Sequence, residues 1–132
     1  MKATGLRPAH WGLSVLVMAL ASLAWTDGVT HRIHFPRGST AITLHGTVVR
    51  GDRDTYVLRA RAQQTMRVRL TSLEQNAVFQ LYQPGKHATV QGAGEGEDAT
   101  VWSGTVPVTG DYTIVVGATR GNTSYTLAVS IE

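Results

Sequence analysis

Apolar and polar residues alternate along most of the chain after its first 29 residues. In TMRVRL, residues 65–70, the apolar Met66, Val68 and Leu70 alternate with two arginines. A period of two places the two sets on opposite faces of a strand. The same alternation recurs in TYVLRARA and in YTLAVSI near the end of the chain. The pattern therefore predicts antiparallel strands with one buried face and one solvated face.

Eight such segments are separated by turn residues, and no segment has the period of a helix. The segments are THRIHF (30–35), STAITLHGTVVR (39–50), DTYVLRARA (54–62), TMRVRLTS (65–72), AVFQLYQ (77–83), ATVWSGTV (99–106), DYTIVVG (111–117) and SYTLAVSIE (124–132). Without a helix to cover either face, the apolar faces of two sheets must pack against each other. The predicted fold is all-β, an antiparallel β-sandwich or jelly roll of about eight strands.

The N-terminal residues have the pattern of a secretory signal. Lys2 and Arg7 precede an apolar stretch at 12–25 that is too short to span a bilayer comfortably, and Ser22 and Ala24 provide the small residues of a cleavage site. Residues 1–24 are predicted to be a signal peptide and residues 25–132 one β-sandwich domain. An uncleaved anchor is the minor alternative. The mature protein is expected to be periplasmic or secreted, with no membrane association after cleavage.

Charge and cysteine content exclude several classes of protein. The chain has 12 basic and 9 acidic residues and no cysteine. Loss of Lys2 and Arg7 with the signal leaves ten basic against nine acidic residues, so a nucleic-acid partner is not expected. An exported domain without cysteine is not a disulfide scaffold and must be held by its core. We expect a monomer.

No arrangement of side chains predicts catalysis or a cofactor. The histidines of the mature domain, His31, His34, His45 and His87, lack further ligands at metal-binding spacing, and no triad signature is present. The protein is therefore predicted not to be an enzyme, with no catalytic residue, metal or cofactor. The acidic, glycine-rich loop 92–98 favours a solvated loop, and calcium binding there stays open.

Arginines concentrate in the middle of the domain. If the segments 54–62 and 65–72 pair, four of the arginines line one outer face. Either a solvated face or a rim that binds anions explains such a group. The candidate residues are Arg53, Arg59, Arg61, Arg67 and Arg69.

Three tyrosines open strands at equivalent places: Tyr56, Tyr112 and Tyr125. Each follows a short polar turn and is followed by alternating apolar residues. An aromatic ring in that position caps one end of a core, while its hydroxyl reaches water or backbone. The turn before Tyr112, PVTGDY, is the least generic of the three.

Nearly all of the mature chain resembles a known family. The stretches RIHFPRGSTAITLHGTVV, GDRDTYVLRARAQQTMRVRL, WSGTVPVTGDYTIVV and YTLAVSIE are similar to the periplasmic inhibitors of g-type lysozyme. The framework also resembles the bacterial pre-peptidase C-terminal domain, a small β-jelly roll. Gly51-Asp52-x-Asp54-x-Tyr56 and Gly104-Thr105-Val106-Pro107 are markers of this framework.

The resemblance implies a periplasmic lysozyme inhibitor, with g-type lysozyme as its partner and a projecting loop that blocks the active-site cleft. The implied inhibitory loop comprises Thr109, Gly110, Asp111 and Tyr112, joined by Arg120 from the last connection. A tyrosine-bearing turn of the family falls near Gly51 to Arg53, where this chain has arginine instead. The alternative is an envelope module that binds glycans or polyanions and has no inhibitory activity.

Overall fold

The computed structural model describes residues 30–132, so the predicted signal peptide and its cleavage site lie outside the described residues. This part of the chain forms eight strands and one 3-10 turn at Leu73–Gln75. The strands are β1 (Thr30–Arg32), β2 (Ala41–Val49), β3 (Arg53–Ala60), β4 (Thr65–Ser72), β5 (Ala77–Tyr82), β6 (Val101–Thr105), β7 (Gly110–Ala118) and β8 (Asn122–Ile131). Each predicted segment overlaps one strand, with bounds that differ by a few residues, and the all-β prediction is confirmed.

The strands form two four-stranded sheets that pack face to face. Sheet A has the order β1-β3-β7-β5, and sheet B has the order β2-β8-β4-β6. All neighbours are antiparallel except β1, which runs parallel to β3. Strands that are consecutive in the chain always lie in different sheets, so every connection crosses the sandwich.

The core lies between the sheets and is built from the inward residues of each alternation. In β4 the inward Met66, Val68 and Leu70 are buried, while the arginines between them are exposed. Sheet A contributes Tyr112 and Ile114, neither with any exposed surface. Burial of a large apolar side chain stabilises a fold by about 1.5–3 kcal/mol. Burial of the inward residues of each strand therefore drives the packing of the two sheets.

The crossing connections correct one expectation about the arginines. β3 and β4 do not pair: β3 lies in sheet A and β4 in sheet B. Arg59 therefore points outward from one face of the sandwich, and Arg67 and Arg69 from the opposite face. The short connection 61–64 turns through Gln63, which has a positive φ of 78°, and carries the chain from sheet A to sheet B.

The same topology sorts the turns into two groups. The loop end contains the turns 33–40, 61–64, 83–88 and 106–109, and the arginine end contains the turns 50–52, 73–76 and 119–121. β7 joins the two ends through nine residues. At about 3.4 Å per residue, its two ends lie about 27 Å apart.

Candidate functional site

Tyr112 holds the loop in front of it instead of projecting from it. Its side chain has no exposed surface. Its hydroxyl donates to the carbonyl of Val108 at 2.6 Å and accepts from the amide of the same residue at 3.1 Å. Ring burial and hydroxyl-to-backbone bonding match the sequence prediction for this tyrosine. The side chain is not available to contact another protein, and its hydroxyl positions the loop.

Thr109 and Gly110 are also engaged within the molecule. The Thr109 hydroxyl accepts a hydrogen bond from the amide of Ala62 at 2.8 Å, which joins two turns of the loop end. A Cβ on Gly110 would lie 2.7 Å from Cγ of Pro84. Glycine therefore allows the turn 83–88 to pack against the start of β7. The loop is therefore held in place by the hydrogen bonds of Val108 and Thr109 and by the packing of Gly110 against Pro84.

We expect Gly110→Ala to destabilise the protein by about 1–3 kcal/mol, the usual effect of overpacking. A proline ring cannot rotate away from the added methyl group, so the turn 83–88 must shift. The measurement is thermal unfolding, with Gly117→Ala as the matched control in the same strand. A Cβ on Gly117 meets nothing within 4 Å. Equal unfolding temperatures for the two variants would contradict this packing.

Asp111 lies on the outer face of sheet A, beside the loop. Both of its carboxylate oxygens accept hydrogen bonds from Arg32, at 2.8 and 3.1 Å. These bonds hold the pKa of Asp111 below its usual range, with a smaller contribution from the charge of Arg59. What the loop offers to a partner is therefore the exposed, apolar tip at Pro107 and Val108.

At the arginine end, two turns from different parts of the chain are joined directly. The amide of Arg50 donates to the carbonyl of Gly121 at 2.9 Å, next to the last pair of the β2–β8 ladder. Arg53 opens β3 opposite Gly117 of β7. The turn carrying Arg120 and the turn 50–52 are thus neighbours, and the place where the family has a tyrosine-bearing turn lies beside Arg120.

The guanidinium groups at this end have no carboxylate partner among the described residues. The ion pairs between residues 30 and 132 are Arg32–Asp111 and Arg67–Glu132, so Arg50, Arg53 and Arg120 are exposed and unpaired. The third turn of this end adds Leu73, whose side chain is 77% exposed. Asp52 and Glu74 lie in the same turns, so against the three arginines this end has an excess of one positive charge, which favours an acidic partner.

The turn 73–76 is bound to the turn that carries Arg120. The carbonyl of Asn76 accepts hydrogen bonds from the amide of Thr119 at 2.7 Å and from its hydroxyl at 3.1 Å. Sequence reasoning included Arg53 and Arg120 in different groups and omitted Arg50 and Leu73. The sequence does show an arginine and a leucine within short turns. Only the folded structure shows that these turns lie at the same end of the sandwich.

A buried polar network supports the arginine end from inside. The Tyr125 hydroxyl donates to the carboxylate of Asp54 at 2.5 Å and lies 2.6 Å from the hydroxyl of Tyr56. Burial, followed by these hydrogen bonds, raises the pKa of Tyr125 well above its usual value. Gly46 leaves the space that the Tyr125 ring needs, because a Cβ there would meet its hydroxyl. The network links β3 to β8, the strands that begin just after the two arginine-bearing turns.

Other candidate residues are dispersed. Arg61 lies at the loop end, apart from the arginines of sheet B. Within the described residues no three histidine or acidic side chains are grouped to hold a metal ion. In the loop 92–98, Glu97 accepts a hydrogen bond from the amide of Gly94 at 2.6 Å, which stabilises the loop. His31 stacks on Tyr56 at 5.3 Å between ring centroids.

The two packed four-stranded sheets form a small β-sandwich of the jelly-roll class. Comparison with solved structures shows its family. No protein-family model matches the chain, and neither does any sequence among curated proteins. The periplasmic inhibitor of g-type lysozyme from Aeromonas hydrophila is 30% identical with a TM-score of 0.69, covering 82% of this chain and 100% of that protein. The chain belongs to the family of periplasmic inhibitors of g-type lysozyme.

Two further neighbours share the fold. The corresponding inhibitor from Salmonella Typhimurium is 22% identical with a TM-score of 0.65, covering 80% of this chain and 99% of that protein. The pre-peptidase C-terminal domain of a Bacillus anthracis collagenase is 19% identical with a TM-score of 0.51, covering 78% of this chain and 94% of that domain. The family resemblance predicted from sequence is confirmed. The inhibitors among these neighbours are not enzymes, in agreement with the prediction for this chain.

Proposed function

We propose that this protein is a periplasmic inhibitor of lysozyme, that g-type lysozyme is its target, and that it acts as a monomer. The proposal rests on its relation over the whole length of the Aeromonas hydrophila protein, which is an inhibitor of g-type lysozyme. The site is the arginine end, and the observation that carries it is the hydrogen bond that joins the turn of Arg50 to the turn of Arg120.

The chemistry of the target favours arginine as the contacting residue. Glycoside hydrolases of this kind cleave sugar polymers with carboxylates inside a groove. A guanidinium binds a carboxylate through two parallel hydrogen bonds, which are strong and directional. No carboxylate lies within 4 Å of the guanidiniums of Arg50, Arg53 and Arg120, so binding to an acidic groove breaks no ion pair of the free protein.

Rigidity lowers the entropic cost of such binding. The arginine-bearing turns are tied to each other, to the turn 73–76 and, through Asp54 and Tyr125, to the opposite sheet. A surface that is ordered before binding loses little conformational freedom on association. The long arginine side chains are what remains to be ordered.

Loop 107–112 is the other place from which the cleft could be blocked, as the resemblance implies. The hydroxyl of Thr109, the carboxylate of Asp111 and the ring of Tyr112 all have partners within the molecule. The loop tip thus offers Val108, which is 44% exposed, and little charge. This is a poor match for an acidic groove. Since about 27 Å separates the two ends, one narrow cleft does not accommodate both.

A periplasmic location follows from the proposed function, because peptidoglycan and the lysozymes that attack it meet there. Within residues 30–132, no helix has the length and apolar character needed to cross a membrane.

The experiment that tests the function is a panel of g-type, c-type and i-type lysozymes acting on cell-wall suspensions. The purified mature domain is expected to slow lysis by the g-type enzyme and to leave the other two unaffected. Inhibition of another class alone would correct the target but keep the function. Unchanged lysis by all three enzymes with the inhibitor at micromolar concentration would overturn the proposal.

A further inference from the structure

The outer face of sheet B has an unusual composition, and the proposed inhibition at the arginine end does not involve this face. None of its four strands contains an acidic residue. Its outward positions are instead rich in short hydroxyl side chains, and we call this surface the hydroxyl face. The hydroxyl residues are Thr43, Thr47, Thr65, Thr71, Ser103, Thr105, Ser124, Thr126 and Ser130.

Two cations stand together on this face. Arg67 and Arg69 follow each other on the outward side of β4, about 6.8 Å apart along the strand. Arg67 lies between Ser130 and Ser103 in the ladder, and Arg69 lies between Ala128 and Val101. Both arginine side chains are exposed to solvent. They line a shallow trough of about 400 Å³.

Little within the molecule neutralises these charges. Glu132 is the acid closest to them, 3.9 Å from Arg67, and both side chains are more than half exposed. An exposed pair at that distance contributes little. By contrast, on sheet A the carboxylate of Asp111 lies beside Arg32 and opposite Arg59. The hydroxyl face therefore carries two adjacent arginines with no acidic residue on any strand of its sheet.

We propose that the hydroxyl face binds an anionic polysaccharide strand. Paired guanidiniums take carboxylate, sulfate or phosphate groups along the polymer, and the serine and threonine hydroxyls exchange hydrogen bonds with sugar hydroxyls. The trough is lined by residues at the same level of all four strands, 41–43, 67–69, 101–103 and 128–130. It therefore runs across β4, and a polymer lying in it passes both arginines.

Two other classes of partner fit less well. Stacking of nucleic-acid bases requires several aromatic rings on the binding surface. Trp102 is the one aromatic residue in the lining of the trough, and it is half-buried, with its indole nitrogen donating to the carbonyl of Gln91 at 2.9 Å. Insertion into a lipid surface requires a broad apolar patch. The large exposed apolar side chains on this face are Val49 and Val101, which lie on opposite edge strands.

This site is separate from the arginine end, so a bound glycan leaves the arginine-bearing turns free. The protein is thereby held on an acidic envelope polymer while its other site engages a soluble partner. The glycan site does not depend on the proposed inhibition, and each can fail without the other.

The test is retention of the mature domain on immobilised heparin and alginate, with neutral dextran as the uncharged reference. We expect salt-sensitive retention on both acidic polymers and none on dextran. The double variant Arg67→Gln/Arg69→Gln should bind about tenfold more weakly or worse. The matched control Arg59→Gln/Arg61→Gln removes the same charge from elsewhere and should keep most of the affinity.

Equal losses in the two double variants would overturn the proposal, because net charge alone would then explain retention. Absence of retention by the unaltered domain would do the same. Tighter binding of single-stranded DNA or of anionic vesicles than of either polysaccharide would assign the face to a different partner. Light scattering that reveals a dimer disrupted by Arg67→Gln/Arg69→Gln would assign it to a second copy of the chain.

Discussion

Replacement of Tyr112 by alanine is expected to lower the free energy of unfolding by about 3–5 kcal/mol, as for other large aromatic residues in a core. The ring has no exposed surface, so its removal leaves a cavity between the sheets. For a domain of this size each kcal/mol lowers the unfolding temperature by about 4–8 °C. Thermal and denaturant unfolding of the variant measure the effect.

The control for this prediction is Tyr112→Phe, which keeps the ring and removes the two hydrogen bonds to Val108. A loss of about 1–2 kcal/mol is expected, because the amide and carbonyl of Val108 lose their partner. Inhibition by the phenylalanine variant should be nearly unchanged at a temperature where it is folded. If Tyr112→Ala instead unfolded at the wild-type temperature and failed to inhibit, the tyrosine would be a contact residue and its assignment as a loop anchor would be wrong.

The second large effect is expected at Arg120, provided that the protein inhibits lysozyme as proposed. Arg120→Glu removes a guanidinium and places a carboxylate against the carboxylates of the enzyme groove. Loss of one partner of a desolvated charge pair costs about 2–5 kcal/mol, so inhibition should weaken roughly 30-fold to several thousand-fold. Stability should change by no more than about 0.5 kcal/mol, as at other exposed positions. The inhibition constant against g-type lysozyme is the measurement.

Val108→Glu is the matched control at the opposite end, where it also adds one carboxylate to an exposed turn. Its side chain is 44% exposed, and the backbone bonds to Tyr112 do not involve it. Inhibition by this variant should be close to that of the unaltered protein. The reverse outcome, in which Val108→Glu abolishes inhibition and Arg120→Glu does not, would move the site to the loop 107–112.

The strands were predictable because their information is local. A period of two places Met66, Val68 and Leu70 on one side of β4 whatever strand lies next to it, and the same holds for the other segments. The environment of Tyr112 was predictable for the same reason, since a ring that starts such an alternation points into the core. The hydroxyls of Tyr56 and Tyr125 were not, because they bond to each other and to Asp54 across the two sheets.

The grouping of the arginines was not predictable from their spacing. Arg59 and Arg67 are separated by a short connection, which is equally compatible with a hairpin and with a crossing between sheets. The crossing is formed because β3 pairs with β1 and β7, whereas β4 pairs with β6 and β8. It sends the two arginines to opposite faces and makes the hydroxyl face of sheet B a surface of its own.

The sequence by itself determined the all-β class, the position of each strand, its buried face and the resemblance to a family of lysozyme inhibitors. The tertiary structure decided which turns share an end of the sandwich. It separated the loop before Tyr112 from Arg120, and it brought Arg120 beside Arg50 through a hydrogen bond between distant parts of the chain. The physical reason is that alternation depends on neighbours along the chain, whereas strand order depends on contacts between segments that only folding brings together.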